Sequence, residues 1–449
     1  MRKCILLLLL ASDFVHAADL TQLPDVPDLG EVYQFSVIET EVGLVNNSSH
    51  VITVQGIDDP TGSISLGHTV ILQPGQTQAV PLTVHVNNRI GAIRFDAKLL
   101  TSPPSEGIVA VNAFVMSVLD TVRPIIDFGV MDAGSKNPQT FSLVSHEIDG
   151  LKVTAINYVA PGFDADVLPG GTGLVVSARP DLGWGTHLDY VKVGIDSSAQ
   201  HEIWIRVKAD VRGEIQPSEN PVDFSVVRRG EVAEKTVRLQ SRSKQKLEVD
   251  SIEMDGVRVS HEVKTCPGQR SDGCLDLVLR LDNQQPLGQI FGSITVAFKQ
   301  ERNRLPIGVR GLVISSDQKI IDLNKTSALN TSSVPVRKIQ DQLKALTGTA
   351  APGAAVEPPG RGPLLKWAVG NENGLYGYAV YRSTSETDGF SRINHALVRA
   401  SNGGDNVSSN YQWRDNSAEP GKAYWYYIGA VYNDGHKQQL TGPQKVVAK

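Results

Sequence analysis

The chain has 449 residues, too many for one hydrophobic core, and this length predicts roughly three or four domains. Its composition is that of a globular protein, with 41% hydrophobic and 20% charged residues. A net charge of −5 disfavours a nucleic-acid partner, because nucleic-acid-binding domains usually carry an excess of Lys and Arg. The 41 Gly and 24 Pro favour many short strands joined by turns over long helices.

Residues 1–17 are typical of a secretory signal peptide. Arg2 and Lys3 are followed by the apolar run CILLLLLA and by small residues that end at Ala17. A membrane anchor is the alternative, but an apolar run this short spans less than half of a bilayer core, and no later segment approaches the ~20 apolar residues of a transmembrane helix. We therefore predict cleavage near Ala17, a periplasmic or extracellular location, and no transmembrane segment after cleavage.

The chain beyond Ala17 has two cysteines, Cys266 and Cys274. In an oxidising compartment, two cysteines this close in sequence most simply form one disulfide. A metal site is disfavoured because the spacing is not that of metal ligands and no His pair is nearby. We predict a disulfide, no metal and no other cofactor.

Three segments begin alike, at Asp28-Leu29-Gly30, Asp127-Phe128-Gly129 and Asp223-Phe224-Ser225, at spacings of 99 and 96 residues. Each continues into strands in which apolar and polar residues alternate, as in EIWIRV at residues 202–207. This period of two places one face of each strand in a core and the other in water. Together with frequent turns, it predicts about seven strands per segment, which is the size of a β-sandwich.

The segment PIIDFGVMDAGSKNPQTFSLVSH, residues 124–146, resembles the opening of Hydin and abnormal-spindle-type immunoglobulin-like repeats. The fold of these repeats is similar to that of the major sperm protein and the pilus chaperone. The resemblance covers residues 24–314 and departs from the family pattern at Leu29 and at Ser225. It implies a protein-binding or scaffolding module in an exported bacterial protein.

The pattern changes after residue 315. Residues 336–346 (VRKIQDQLKAL) have apolar residues at helical spacing and predict a short helix, and residues 347–362 form a linker rich in Pro, Ala and Gly. From residue 363 the chain resembles a fibronectin type III domain, on Trp367, GYAVYR at 377–382 and GKAYWYYIGA at 421–430. In that resemblance Tyr424 is the tyrosine corner, whose hydroxyl bonds upstream backbone.

The predicted fold class is therefore all-β: tandem immunoglobulin-like β-sandwiches, three related repeats plus a fibronectin type III-like sandwich. The predicted boundaries are signal peptide 1–17, repeat one 18–121, repeat two 122–215, repeat three 216–315, linker with a short helix 316–362, and module four 363–449.

Module four has more aromatic residues than a sandwich core requires. If Tyr424, Tyr426 and Ile428 point into the core, the residues between them point outward by strand alternation. Exposed rings often mark interaction sites. We therefore predict an exposed aromatic binding face formed by Tyr381, Trp413, Trp425 and Tyr427. The alternative is that this face packs on the linker helix, an adjacent repeat or a loop.

The sequence contains no GxSxG, GxxxxGK[ST] or HExxH motif, and we predict that the protein is not an enzyme. The first functional hypothesis is an interaction or scaffold protein of the bacterial envelope that binds a protein partner. The second is a carbohydrate or cell-wall binding protein that uses the aromatic face of module four. The third is an enzyme with a site assembled across modules.

Overall fold

The computed structural model describes residues 19–23, 26–267, 273–282, 284–316, 357–401 and 409–448. In these ranges the regular structure consists of strands and one 3-10 turn, Pro169–Gly171, which confirms the all-β class of tandem β-sandwiches. None of the described segments is a helix long and apolar enough to cross a membrane. The predicted signal peptide and the predicted helix at 336–346 lie outside the described residues.

Repeat one is a sandwich of two sheets, with strand orders β1-β3-β7-β5 and β2-β9-β8-β4-β6. On β7 every second side chain (Val80, Leu82, Val84) is buried between the sheets, as the period of two predicts. The strands are β1 Leu20–Leu23, β2 Asp28–Tyr33, β3 Val37–Asn46, β4 Ile52–Asp58, β5 Ile64–Leu66, β6 Val70–Leu72, β7 Thr77–His85, β8 Gly91–Ser102 and β9 Ile108–Met116.

Repeat two has sheets of order β10-β16-β15-β12 and β11-β14-β13. Its strands are β10 Ile125–Asp132, β11 Gln139–Ser142, β12 Val153–Val159, β13 Phe163–Val167, β14 Gly173–Ala178, β15 Gly185–Ile195 and β16 Glu202–Arg212. The alternation in EIWIRV is seen as predicted: Ile203 and Ile205 lie in the core, whereas Trp204 lies on the outer face of the sheet.

Repeat three has sheets of order β17-β19-β22-β21 and β18-β24-β23-β20. The predicted disulfide is confirmed: Cys266 and Cys274 are bonded, with 5.8 Å between their Cα atoms, where β21 ends and β22 begins. The strands are β17 Ile215–Pro217, β18 Val222–Arg228, β19 Ala233–Ser241, β20 Val249–Asp255, β21 Val259–Thr265, β22 Cys274–Leu281, β23 Gly288–Phe298 and β24 Leu305–Ile314.

The Asp-led motif forms the same β-bulge in all three repeats. In each repeat the strand that carries the motif (β2, β10 or β18) pairs in parallel with the last strand, and the register shifts just after the Asp. The Asp carboxylate accepts a hydrogen bond from the backbone N–H two residues on, which has a positive φ. The pairs are Asp28 and Gly30 (2.9 Å, φ 74°), Asp127 and Gly129 (2.8 Å, φ 61°), and Asp223 and Ser225 (2.7 Å, φ 57°). The motif is therefore a β-bulge held by its own Asp, and Ser225 takes this conformation without being a glycine.

Module four pairs β25 with β29 and builds a second sheet around β26 and β30. Trp367, Tyr378 and Tyr426 are buried in its core. The Tyr424 hydroxyl accepts a hydrogen bond of 3.3 Å from the Glu419 backbone N–H, the upstream tie that the sequence predicts. The strands are β25 Leu364–Val369, β26 Leu375–Ser383, β27 Ser391–Arg392, β28 Val398–Arg399, β29 Ser409–Arg414, β30 Ala423–Tyr432, β31 Lys437–Gln439 and β32 Gln444–Val447.

Candidate functional site

The predicted aromatic face of module four exists, but three rings form it instead of four. On β30, Trp425 and Tyr427 lie on the sheet face that points away from the module core. Tyr381 is the register partner of Tyr427 on β26, and the two rings are stacked with 4.6 Å between their centroids. Trp413 does not extend this face, because it lies on β29 in the other sheet and packs against the core of module four.

The expectation that this face is exposed is wrong for Tyr381, which is 4% exposed. The face packs against repeat one, where Phe114 and Met116 join Tyr381 in a separate buried cluster. Phe114 stacks on Tyr376 of module four, with 3.4 Å between ring centroids. Large aromatic surfaces gain most from leaving water, so the two apolar faces cover each other. A binding role for these rings stays a prediction, with Trp425 and Tyr427 partly accessible.

The sequence contained a signal for this contact that we did not use. On β9, Val109, Val111 and Val115 point into the sandwich of repeat one, and Phe114 and Met116 point to the opposite face; all five side chains are buried. A strand that is apolar on both faces indicates burial on both sides. The uninterrupted apolar end of β9 therefore predicts that another part of the protein, or a partner, covers this face of repeat one.

A buried group of charged side chains lies at the centre of this junction. The Arg392 guanidinium of module four donates to Glu147 of repeat two at 3.1 Å and to Glu31 of repeat one at 3.3 Å. Lys437 Nζ donates to the other Glu147 carboxylate oxygen at 2.7 Å. The side chains of Arg392 and Glu147 are 5% and 2% exposed. We define Arg392, Lys437, Glu31 and Glu147 as the junction charge group.

The electrostatics of the junction follow from burial and from these contacts. Burial by itself raises the pKa of Glu147, but the charges of Lys437 and Arg392 outweigh it and hold that pKa below its usual range. Burial, and next the Glu147 charge, raise the pKa of Tyr33 to about 12. Glu147 is thus ionised and Tyr33 neutral at pH 7. The carboxylates are paired with cations, so the arrangement can hold modules together and is not a poised acid–base pair.

Backbone contacts and a histidine complete the junction. The Arg392 N–H donates to the His146 carbonyl at 2.7 Å, and the Leu397 N–H donates to Glu31 at 2.9 Å. The His146 ring stands edge-on to Tyr381 with 5.9 Å between centroids, and its Nδ1 lies 2.5 Å from the Asp120 carboxylate. Module four is therefore seated on repeats one and two by polar as well as apolar contacts.

In the described part of the chain, one group of residues has metal-ligand geometry: Cys266, Cys274 and Asp276. Both sulfur atoms belong to the disulfide, so neither is a thiolate that could ligate a metal.

A second candidate site is a groove of about 380 Å³ at the seam between repeats one and two. Tyr190 on β15 and Trp204 on β16 form one wall, with 5.6 Å between ring centroids. Three arginines, Arg89, Arg123 and Arg206, line it as well. This groove was not predicted from the sequence, although the alternation of β16 places Trp204 and Arg206 on the outer face of the sheet.

Comparison with known proteins adds no function. No protein-family model matches the chain, and no curated protein matches it. Among solved structures, a protein of unknown function from Porphyromonas gingivalis is 13% identical, with 43% of this chain and 100% of that chain covered, at a TM-score of 0.19.

Two further solved structures are similar over about two thirds of this chain. An endo-fucoidan hydrolase from glycoside hydrolase family 107 is 9% identical, with 67% of this chain and 44% of that chain covered, at a TM-score of 0.18. An I-band fragment from titin is 7% identical, with 65% and 97% covered, at a TM-score of 0.16. With TM-scores this low, neither likeness supports an argument about function. The chain spans less than half the length of the hydrolase.

Proposed function

We propose that this chain is a non-catalytic interaction protein of the bacterial envelope, in which the repeats and module four form a fixed scaffold for a protein partner. The observation that carries the proposal is the junction charge group. Through Arg392 it connects module four to repeat one and repeat two at once. Modules that are held in one orientation present a composite surface. Binding of a partner then does not cost the conformational entropy of ordering the modules.

Two local features support the finer part of the proposal. The Asp-held bulge that opens each repeat is the structural form of the motif that resembles Hydin-type repeats. The Tyr424 hydroxyl bond to Glu419 supports a fibronectin type III-like module four. The Cys266–Cys274 disulfide supports an oxidising compartment, because disulfides persist in the periplasm and outside the cell. The burial of Tyr381 counts against the alternative of a carbohydrate site on the aromatic face.

The test is affinity capture from native envelope extract with three forms of the protein. The wild type is compared with Arg392→Met, which removes the central cation of the junction, and with Arg304→Met. Arg304 makes an exposed ion pair with Glu253 in repeat three and is the matched control. We expect one protein partner at stoichiometric level with the wild type and the control, and severalfold less with Arg392→Met. Failure to capture any protein partner, or equal recovery with all three forms, would contradict the fixed scaffold.

A further inference from the structure

The groove between repeats one and two is lined by positively charged side chains, although the protein as a whole has a negative net charge. The whole chain has 43 Lys and Arg against 48 Asp and Glu, yet the groove lining includes Arg89, Arg123 and Arg206 and no carboxylate. In the described residues none of these three guanidinium groups forms an ion pair with a carboxylate. Arg89 contacts the Thr61 hydroxyl at 3.3 Å, and Arg206 lies 5.9 Å from the Tyr190 ring centroid. Unpaired guanidinium groups that converge on one concavity favour an anionic ligand.

The aromatic wall gives the groove an apolar side, formed by two rings inclined at 58° to each other. Tyr190 and Arg206 are register partners on β15 and β16, as are Lys192 and Trp204, so rings and cations alternate across the sheet face. Lys192 Nζ lies 3.7 Å from the centre of the Trp204 ring and adds a fourth cation beside the groove. An aromatic wall next to cations suits a ligand that has both an apolar face and a negative group.

The amide groups add neutral hydrogen-bonding capacity. Gln34 is 6% exposed, and its Nε2 donates to Asn88 Oδ1 at 3.1 Å. On the other side, Gln34 Oε1 accepts from Gln200 Nε2 of repeat two at 3.5 Å. Gln34 thus bonds one residue of each repeat. Its hydrogen bond to Asn88 Oδ1 fixes the side-chain amide of the exposed Asn88, and therefore also the direction of the Asn88 NH2 group. Such fixed polar groups in a concave site set the orientation of a ligand.

We propose that this groove binds a carboxylate-bearing saccharide, one unit of an acidic polysaccharide. The arginines pair with the carboxylate, the inclined Tyr190 and Trp204 rings contact C–H groups of the sugar, and Asn88 bonds a hydroxyl group. The volume of about 380 Å³ lies within the range of small-molecule sites.

The backbone around the groove disfavours an acidic peptide as the ligand. A peptide that adds a strand needs an unpaired sheet edge. Here the aromatic wall rises from β15 and β16, which are the two inner strands of their sheet and are paired on both sides, and the edge strand β10 contributes Ile125 to the lining. Recognition at the aromatic wall therefore depends on side chains, which suits a compact ring better than an extended chain.

The test measures binding of the purified full chain by titration calorimetry, with oligogalacturonate as the probe. Dextran oligomers of the same length serve as the neutral control and polyglutamate as the non-sugar anion. The variants are Arg206→Gln and Arg123→Gln in the groove, and Arg304→Gln in repeat three as the matched control. We expect oligogalacturonate to bind, each groove variant to weaken binding roughly tenfold, and Arg304→Gln to leave it unchanged.

Other results would overturn the inference. Absence of oligogalacturonate binding would do so directly. Equal affinity for polyglutamate would show that only charge is recognised, and equal affinity for dextran would show that the arginines have no role. A loss with Arg304→Gln as large as with Arg206→Gln would indicate diffuse attraction. Circular dichroism of each variant confirms that the sandwiches remain folded.

Discussion

Arg392 Nη1 lies 3.1 Å from a carboxylate oxygen of Glu147, although the two residues are 245 positions apart in the chain. Both side chains are almost completely buried. The same guanidinium also reaches Glu31, so one side chain connects module four, repeat two and repeat one. The contribution of this contact to the packing of the modules can be tested directly.

Arg392→Met should weaken the contact of module four with repeats one and two. Removing one partner of a buried ion pair costs about 3–5 kcal/mol, because Glu31 then stays buried without its cation and Glu147 keeps only Lys437. We expect a lower first transition in calorimetry and a larger radius of gyration by small-angle X-ray scattering. Arg304→Met, which breaks an exposed pair of the same chemistry, should cost less than about 1 kcal/mol. Identical scattering from Arg392→Met and the wild type would refute the role given to this residue.

The junction should weaken in acid because of Glu147. Its pKa in the folded protein lies below the ordinary value of 4.5, since Lys437 and Arg392 outweigh the effect of burial. A lowered pKa gives stability that is complete above the unfolded value and is lost as pH falls through the folded value. Arg392 and Lys437 pair with the Glu147 carboxylate, and Tyr33 bonds it as well.

The measurement compares the free energy of unfolding of the wild type and Glu147→Gln as a function of pH. The difference between them should be largest near neutral pH and should shrink as the pH falls below the ordinary Glu value of 4.5. A difference that stays constant over that range would show that the Glu147 charge does not stabilise the junction.

Removing the disulfide should destabilise repeat three. The Cys266–Cys274 bond closes a loop of about nine residues, and chain entropy assigns about 2.6 kcal/mol to a loop of that size. The double variant Cys266→Ser, Cys274→Ser should therefore unfold at a lower urea concentration. The matched control is reductant: it should lower the midpoint of the wild type to that of the variant and leave the variant unchanged. A variant as stable as the oxidised wild type would contradict this prediction.

Glu372 should be essential to the stability of module four. Its buried carboxylate accepts hydrogen bonds from Tyr378 at 2.6 Å and from Ser401 at 2.7 Å, and also from Tyr411. Burial raises its pKa, but the hydroxyl donors, led by Tyr378, outweigh this and lower the pKa to about 2. Glu372→Gln replaces one acceptor oxygen with a donor that meets these hydroxyl groups.

We expect Glu372→Gln to cost about 2–3 kcal/mol in urea unfolding of module four. Glu419→Gln, at an exposed carboxylate paired with Lys422 in the same module, is the control and should have little effect. Equal effects of the two substitutions would show that the hydroxyl cluster around Glu372 contributes no more than a surface pair.

Much of the fold was predictable because the sequence features that indicate a β-sandwich lie within short segments of the chain. The period of two in β7 and β16 identified the core face of each strand, and the Asp-led motif recurred wherever a repeat began. The short spacing of Cys266 and Cys274 predicted their bond. These features depend on residues close in sequence, so a single chain read in order reveals them.

The candidate sites could be predicted only in part. Strand alternation correctly placed Trp425 and Tyr427 outside the core of module four. It could not show that Phe114 and Met116 cover Tyr381, because alternation distinguishes the two faces of a sheet and does not identify what each face meets. Trp413 was assigned to the wrong face because the sequence did not reveal that β29 pairs with β25 in a separate sheet.

Periodicity along the chain established the strands, the core faces and the modular order of this protein. Contacts across the chain decided the rest: the burial of Tyr381, the pairing of Arg392 with Glu31 and Glu147, and the meeting of Asn88 with Trp204 in one groove. The physical reason is that a buried charge or an apolar face needs a partner surface but does not specify where in the chain that partner lies. Which residues become partners is determined only when complete modules pack against one another.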